Sequence, residues 1–134
     1  MANALYPPFK EALLNKEMDL NTDDIRAVLV DLTDYTYSAA HDFLDDVPAG
    51  ARVAVSVTLT TPTIALGVFD TDDFVFPGGA GDESEAIILY SHTGGADGAR
   101  RLIAFYDTGI TGMPITPNGA DINVTVHGSG WFAL

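Results

Sequence analysis

Between Glu85 and Asp107 the chain reads EAIILYSHTGGADGARRLIAFYD, two apolar runs split by a glycine-rich interval. Neither Glu85–Ser91 nor Arg101–Asp107 is long enough for an independent helix. Both are rich in Ile, Leu, Phe and Tyr, and His92–Arg100 can continue neither. The pattern predicts two antiparallel strands joined by a loop. Alternation puts Ile87 and Leu89 on one face, with Ala86, Ile88 and Tyr90 on the other. In the partner strand Ile103 and Phe105 oppose Leu102, Ala104 and Tyr106. Both faces are therefore apolar, whereas a hairpin with one wet face would show only one. A helix, a second sheet or another protein chain must cover the second face.

The flanking sequence predicts more strands. Ile25–Asp31 (IRAVLVD) is a β-rich run with few polar interruptions, which suits a buried strand. Arg52–Thr60 alternates, with Val53, Val55, Val57 and Leu59 on one face and Ala54, Ser56, Thr58 and Thr60 opposite. Thr61-Pro62 breaks it, and Thr63–Phe69 resumes with Ile64, Leu66 and Val68 in phase. Phe74–Phe76 and Asp121–His127 add two more, the latter with Ile122, Val124 and Val126 inward. Thr108–Gly119, with two prolines and three glycines, is irregular. Gly128-Ser-Gly130 turns the chain into Trp131-Phe-Ala-Leu134, a tail that must be covered to keep these side chains out of water.

Helical signals are confined to the first third. Pro8 suits a first helical position, and Phe9, Leu13 and Met18 recur at helical spacing, predicting a helix over about Pro8–Lys16. It packs on the sheet or serves as an arm, within about residues 1–20, that docks on a neighbouring subunit. Ser38 is an N-cap for a small helical turn near residues 39–46, stopped by Pro48. The whole is one mainly β domain over 1–134, an antiparallel β-sandwich of seven or eight strands with a helical appendage; a β-barrel is the alternative.

Composition narrows the function. Charged residues make up 19 % of the chain, against a usual ~25 %. Few charges for the surface point to a large interface with other subunits. Nineteen acids face six bases, a net charge of −13. That balance disfavours nucleic acid and anionic membranes, both of which are gripped by Lys and Arg. No segment approaches the ~18–20 apolar residues of a membrane helix. The N-terminus MANALYPPFKEALL has no basic stretch or long apolar run of a signal peptide, so synthesis in the cytoplasm is expected.

Catalytic signatures are missing. With no cysteine there is neither a disulfide framework nor a thiolate metal site. His41, His92 and His127 fall in three separate elements without ligand spacing, so no zinc site is predicted. Asp70-Thr-Asp-Asp73 and Asp82, Glu83 and Glu85 lack the ligand order of a calcium loop, and acids in such turns cap their own backbone. Gly78–Gly81 and Gly94–Gly98 have no following Lys-Ser/Thr and open no helix, so they cradle no phosphate. No nucleophile elbow is present. No enzyme activity, catalytic residue, metal or cofactor is predicted. Among the aromatic residues, Tyr90 and Tyr106 are in phase with Ile88 and Leu102 and suit core or interface packing, whereas Tyr35 and Tyr37 flank a loop.

Six stretches together, ANALYPPFKEALL, DYTYSAAHDFLDDVPAGARVA, GVFDTDDFVFP, EAIILYSHTG, RLIAFYDTG and PITPNGADINVTV, resemble a family of small virion structural proteins of tailed bacteriophages. The likeness runs in the same order over nearly the whole chain, although the final turn, Gly128–Leu134, is shorter than the family's. It carries over no catalytic residue. It implies a virion component, either a capsid decoration (cement) protein or a neck or tail-fibre module. As a decoration protein the chain would sit on the outer surface of the head, bound to the major capsid protein, as a homo-oligomer with a trimer favoured. The expected interface is Tyr6, Phe9 and Leu13 of the arm, Ile88, Tyr90, Leu102 and Tyr106 of the hairpin, and Trp131, Phe132 and Leu134 of the tail. The neck or tail-fibre alternative would recognise host glycan through Tyr35, Tyr37 or His92.

Overall fold

The computed structural model describes residues 3–93 and 95–134. Met1 and Ala2 of the expected arm, and Gly94 of the interval between the central strands, lie outside the described residues. The order is β1 (Ala4–Leu5), α1 (Pro7–Leu14), β2 (Ile25–Val30), β3 (Arg52–Val55), β4 (Thr63–Ala65), β5 (Val68–Asp70), β6 (Phe74–Phe76), β7 (Ala86–Ser91), β8 (Leu102–Tyr106), β9 (Ile122–Val124) and β10 (Phe132–Ala133). Five strands form the main sheet in the order β1-β8-β7-β2-β3, and two small sheets, β10-β5-β4 and β6-β9, accompany it. Every pairing is antiparallel. The main sheet ends at β1 and β3 and does not close, so the architecture is sandwich-like and not a barrel. Among the described residues ten short strands replace the expected seven or eight.

The expected hairpin is the centre of the main sheet. Ile87 pairs with Tyr106, Ile88 with Phe105 and Leu89 with Ala104; after a bulge, Tyr90 pairs with Leu102. All six residues of β7 are buried. One face is covered by the small sheets: the Tyr106 ring lies 5.4 Å from Trp131, which lies 5.7 Å from Phe74. The other is covered by the segment between β2 and β3, where Phe105 packs 5.3 Å from Tyr37 and 6.4 Å from Tyr35. The second apolar face is thus sealed by the same chain. Ile88, Tyr90 and Leu102 are 0 %, 1 % and 0 % exposed, so the expectation that they form an intersubunit contact is corrected.

The N-terminal segment is likewise a fixed part of this core and not a free arm. The Tyr6 N–H donates to the Ile103 carbonyl at 3.0 Å, its ring lies 5.1 Å from Tyr37, and Phe9 meets the edge of Phe132 at 5.7 Å. Both are fully buried, which removes them from the expected interface. The Tyr6 and Tyr35 hydroxyls are hydrogen-bonded at 2.8 Å, and Tyr35 bonds His41 Nδ1 at 2.9 Å, so both buried hydroxyls are paired. Burial pushes the Tyr6 hydroxyl far above its ordinary pKa and Tyr35 up to about 12.

α1 stops at Leu14, two residues short of expectation, because Lys16 takes a left-handed φ of 60°. The Glu17 N–H then reaches the Ala12 carbonyl at 2.8 Å and the Lys16 N–H the Leu13 carbonyl at 3.3 Å. These two bonds form the motif that usually places glycine where Lys16 stands. Near residues 39–46 the helical turn is a single 3-10 turn, Leu44–Asp46.

Two strand readings change. β3 ends at Val55, and Val55 and Val57 are 39 % and 49 % exposed while Ser56 is buried. The Ser56 hydroxyl accepts the Ala27 N–H at 2.9 Å and donates to the Val57 carbonyl at 2.8 Å. Pairing buried backbone groups has overridden the apolar stripe. Thr63–Phe69 is not one strand but a hairpin: Leu66 and Gly67 turn it with φ of 53° and 79°. Two successive positive φ values match the right-handed twist of flanking strands, and Gly67 supplies one without strain.

A candidate docking corner

Ile64, Phe69 and Phe132 stand in register across β4, β5 and β10. Residues directly opposite project to the same face, so they form one row. Exposure grows along it: Phe69 is 2 % exposed, Phe132 half-buried and Ile64 50 %. Beside the row runs a cleft of about 430 Å³, also lined by Leu13, Met18 and Leu20 from the α1–β2 segment and by Leu134. Leu134 is 69 % exposed and Leu66, at the hairpin tip, is fully exposed. Leu66 therefore combines a strained backbone with an apolar side chain in water.

The row ends at an open edge. The Phe69 carbonyl accepts the Trp131 N–H at 2.8 Å, so its polar groups face β10. Its neighbour Ile64 then occupies a pair without mutual hydrogen bonds, and its own N–H and C=O point away from β5. Among the described residues β4 has no neighbour on that side.

Charge around the corner is mixed and sparse. Lys16 and Asp19 line the cleft, and Asp72 accepts the Thr61 hydroxyl at 2.8 Å beside the start of β4. Of the six bases, four are in ion pairs: Arg26 with Asp24 at 3.0 Å, Arg52 with Asp97 at 2.7 Å, Arg100 with Asp97 at 3.5 Å and Arg101 with Glu17 at 3.6 Å. The Arg52 hydrogen bond holds the Asp97 carboxyl below its ordinary pKa. Much of the small positive charge is thus bound up internally.

Of the expected interface residues, the corner gathers Leu13, Phe132 and Leu134. Tyr106 and Trp131 sit instead between the sheets, with the Tyr106 hydroxyl donating to the Trp131 carbonyl at 2.7 Å and Trp131 Nε1 to Thr71 Oγ1 at 2.8 Å. Ile64 and Leu66 were missed as site residues, and the signal for them was Gly67 interrupting an apolar run. The expected glycan contacts do not converge. Tyr35 is 4 % exposed, and Tyr37 stacks between Tyr6 and Phe105. His92 Nδ1 is instead hydrogen-bonded to the Tyr90 hydroxyl at 2.9 Å. Burial first, then Arg26 and Arg100, lowers the His92 pKa.

Among the described residues two carboxylate triads bring their oxygens within 4.8 Å: Asp31, Asp34 and Asp82, and Asp42, Asp45 and Asp46. Only Asp82 belongs to an acid cluster singled out in the sequence. Asp31 caps the Thr33 N–H at 2.8 Å and Asp46 the Asp42 N–H at 2.9 Å, which are turn-capping roles. The histidines bond a tyrosine hydroxyl or, for His127, the Ser129 N–H at 3.0 Å. No known family model matches the chain, and no curated protein matches it.

Proposed function

We propose that the chain is a non-enzymatic attachment protein of a particle, using the corner of β4, β10 and the α1–β2 segment. More particularly, it acts as a capsid decoration protein on the outer surface of a bacteriophage head, with the major capsid protein as partner. The observation that carries this is the placement of Ile64, Leu66 and Leu134, apolar and exposed at one corner of a chain of net charge −13. A core already complete within one chain does not need these residues for folding. Covering Leu66 alone contributes about 2 kcal/mol, and repetition over a shell multiplies a small contact. The likeness of the sequence to small tailed-phage virion proteins supports the same reading, and an acidic exterior suits a surface turned away from DNA. Ile88, Tyr90 and Leu102 are sealed within the chain and supply no contact to a homotrimer.

Mass spectrometry of separated heads and tails, with absolute quantification, tests this. Hundreds of copies on heads are expected. A few copies confined to tails would overturn the decoration role, and absence from purified particles would overturn the virion role.

A further inference from the structure

We propose that the open edge of β4 takes up an extended, cationic segment of the partner protein as a fourth strand of the β10-β5-β4 sheet. This deepens the attachment reading by naming what fills the corner. The backbone supplies the first argument: an antiparallel strand beside β4 would exchange two hydrogen bonds with the outward N–H and C=O of Ile64. The side chains supply the second. A residue opposite Ile64 would extend the row Phe132–Phe69–Ile64 and cover the cleft against Leu13 and Met18, so that position of the segment is apolar. The fully exposed Leu66 would pack against the same strand.

Charge decides who the occupant is. A second copy approaches with −13 against −13 and has four of its six bases in its own ion pairs. Edge-to-edge pairing of two copies is therefore opposed over the whole approach, whereas a lysine- or arginine-bearing segment is attracted. Pro62, just before β4, has no N–H to offer and limits the pairing to a short stretch centred on Ile64.

The test uses the full chain and two synthetic peptides, acetyl-KVKVKVK-amide and acetyl-EVEVEVE-amide, followed by titration and by amide exchange of Ile64. The Lys-Val peptide is expected to bind and to slow exchange of the Ile64 amide, which is open in the free protein. The Glu-Val peptide is expected not to bind. Leu134→Ser and Leu66→Ser should each weaken binding by about fivefold to tenfold, while Val57→Ser, exposed elsewhere, leaves it unchanged. Ile64→Pro, which removes the N–H that the added strand would bond, should abolish peptide binding, and Ile64→Thr, which keeps the strand, should weaken binding if the proline variant fails to fold. Three results would overturn the proposal: no binding, binding unaffected by these changes, or self-association of the free protein through β4. Head-bound protein that ignores the peptide would sink only the strand proposal; peptide binding without head attachment would sink only the decoration role.

Discussion

Gly130→Ala tests how the C-terminal strand is held. Gly130 has φ of 85°, and a Cβ there would lie 2.7 Å from the Phe69 carbonyl oxygen, 2.7 Å from Val68 Cγ1 and 3.3 Å from Asp70 Cβ. A left-handed non-glycine residue costs about 1–2 kcal/mol. The clash is with the backbone and side chains of β5, so the turn must lift away. That breaks the 2.8 Å bond from Trp131 N–H to Phe69, worth about 1 kcal/mol. It also loosens the Phe69–Phe132 contact at 5.5 Å, worth about another 1 kcal/mol. The total is about 3–4 kcal/mol, or a fall in Tm of about 10 °C for a chain of this size. Gly128→Ala is the control: it has no atom within 4 Å and an ordinary φ, so a change of under about 0.5 kcal/mol is expected. Urea melts of the two variants read this directly. Equal midpoints, or a Gly130→Ala midpoint matching the parent, would show that the turn at Gly130 does not hold β10 on β5.

Ile88→Ala, at a fully buried site in the central strand, should cost about 3–4 kcal/mol in urea melts, whereas Leu66→Ser should cost almost nothing. Lys16→Gly should raise stability by about 1 kcal/mol, because glycine fits φ of 60° at the end of α1 without strain. The pKa of His92 is lower folded than unfolded, so the unfolded chain binds the extra proton. Its stabilising contribution is present above about pH 6.5 and is lost as pH falls from there toward the folded-state pKa. Tm measured from about pH 7 down to pH 5 should therefore fall less in His92→Gln than in the parent.

The central hairpin and β2 were legible because apolar alternation is a local property of the chain; the tail was expected to be covered, yet Leu134 is 69 % exposed. What covers the hairpin was not. Tyr35 and Tyr37 sit in a segment with no periodicity, and nothing local says that they fold back over Phe105. The exposed stripe at Val55 and Val57 misled for a related reason: the Ser56 hydroxyl is committed to the Ala27 N–H, a partner 29 residues away. The docking corner was half legible. Leu134 and Phe132 stood out at the chain end, but Leu66 is not a residue that advertises a two-residue turn. Thr63–Phe69 therefore read as one strand, hiding both Ile64 and the open edge.

One chain completes its own core, and the proposed attachment runs through the β4–β10 corner. Rebinding of purified protein to heads stripped of it tests this most directly, comparing the parent with Leu66→Asp/Leu134→Asp. Saturable binding is expected of the parent, and none of a double variant whose Tm is unchanged. Equal binding by the two proteins would contradict attachment through this corner.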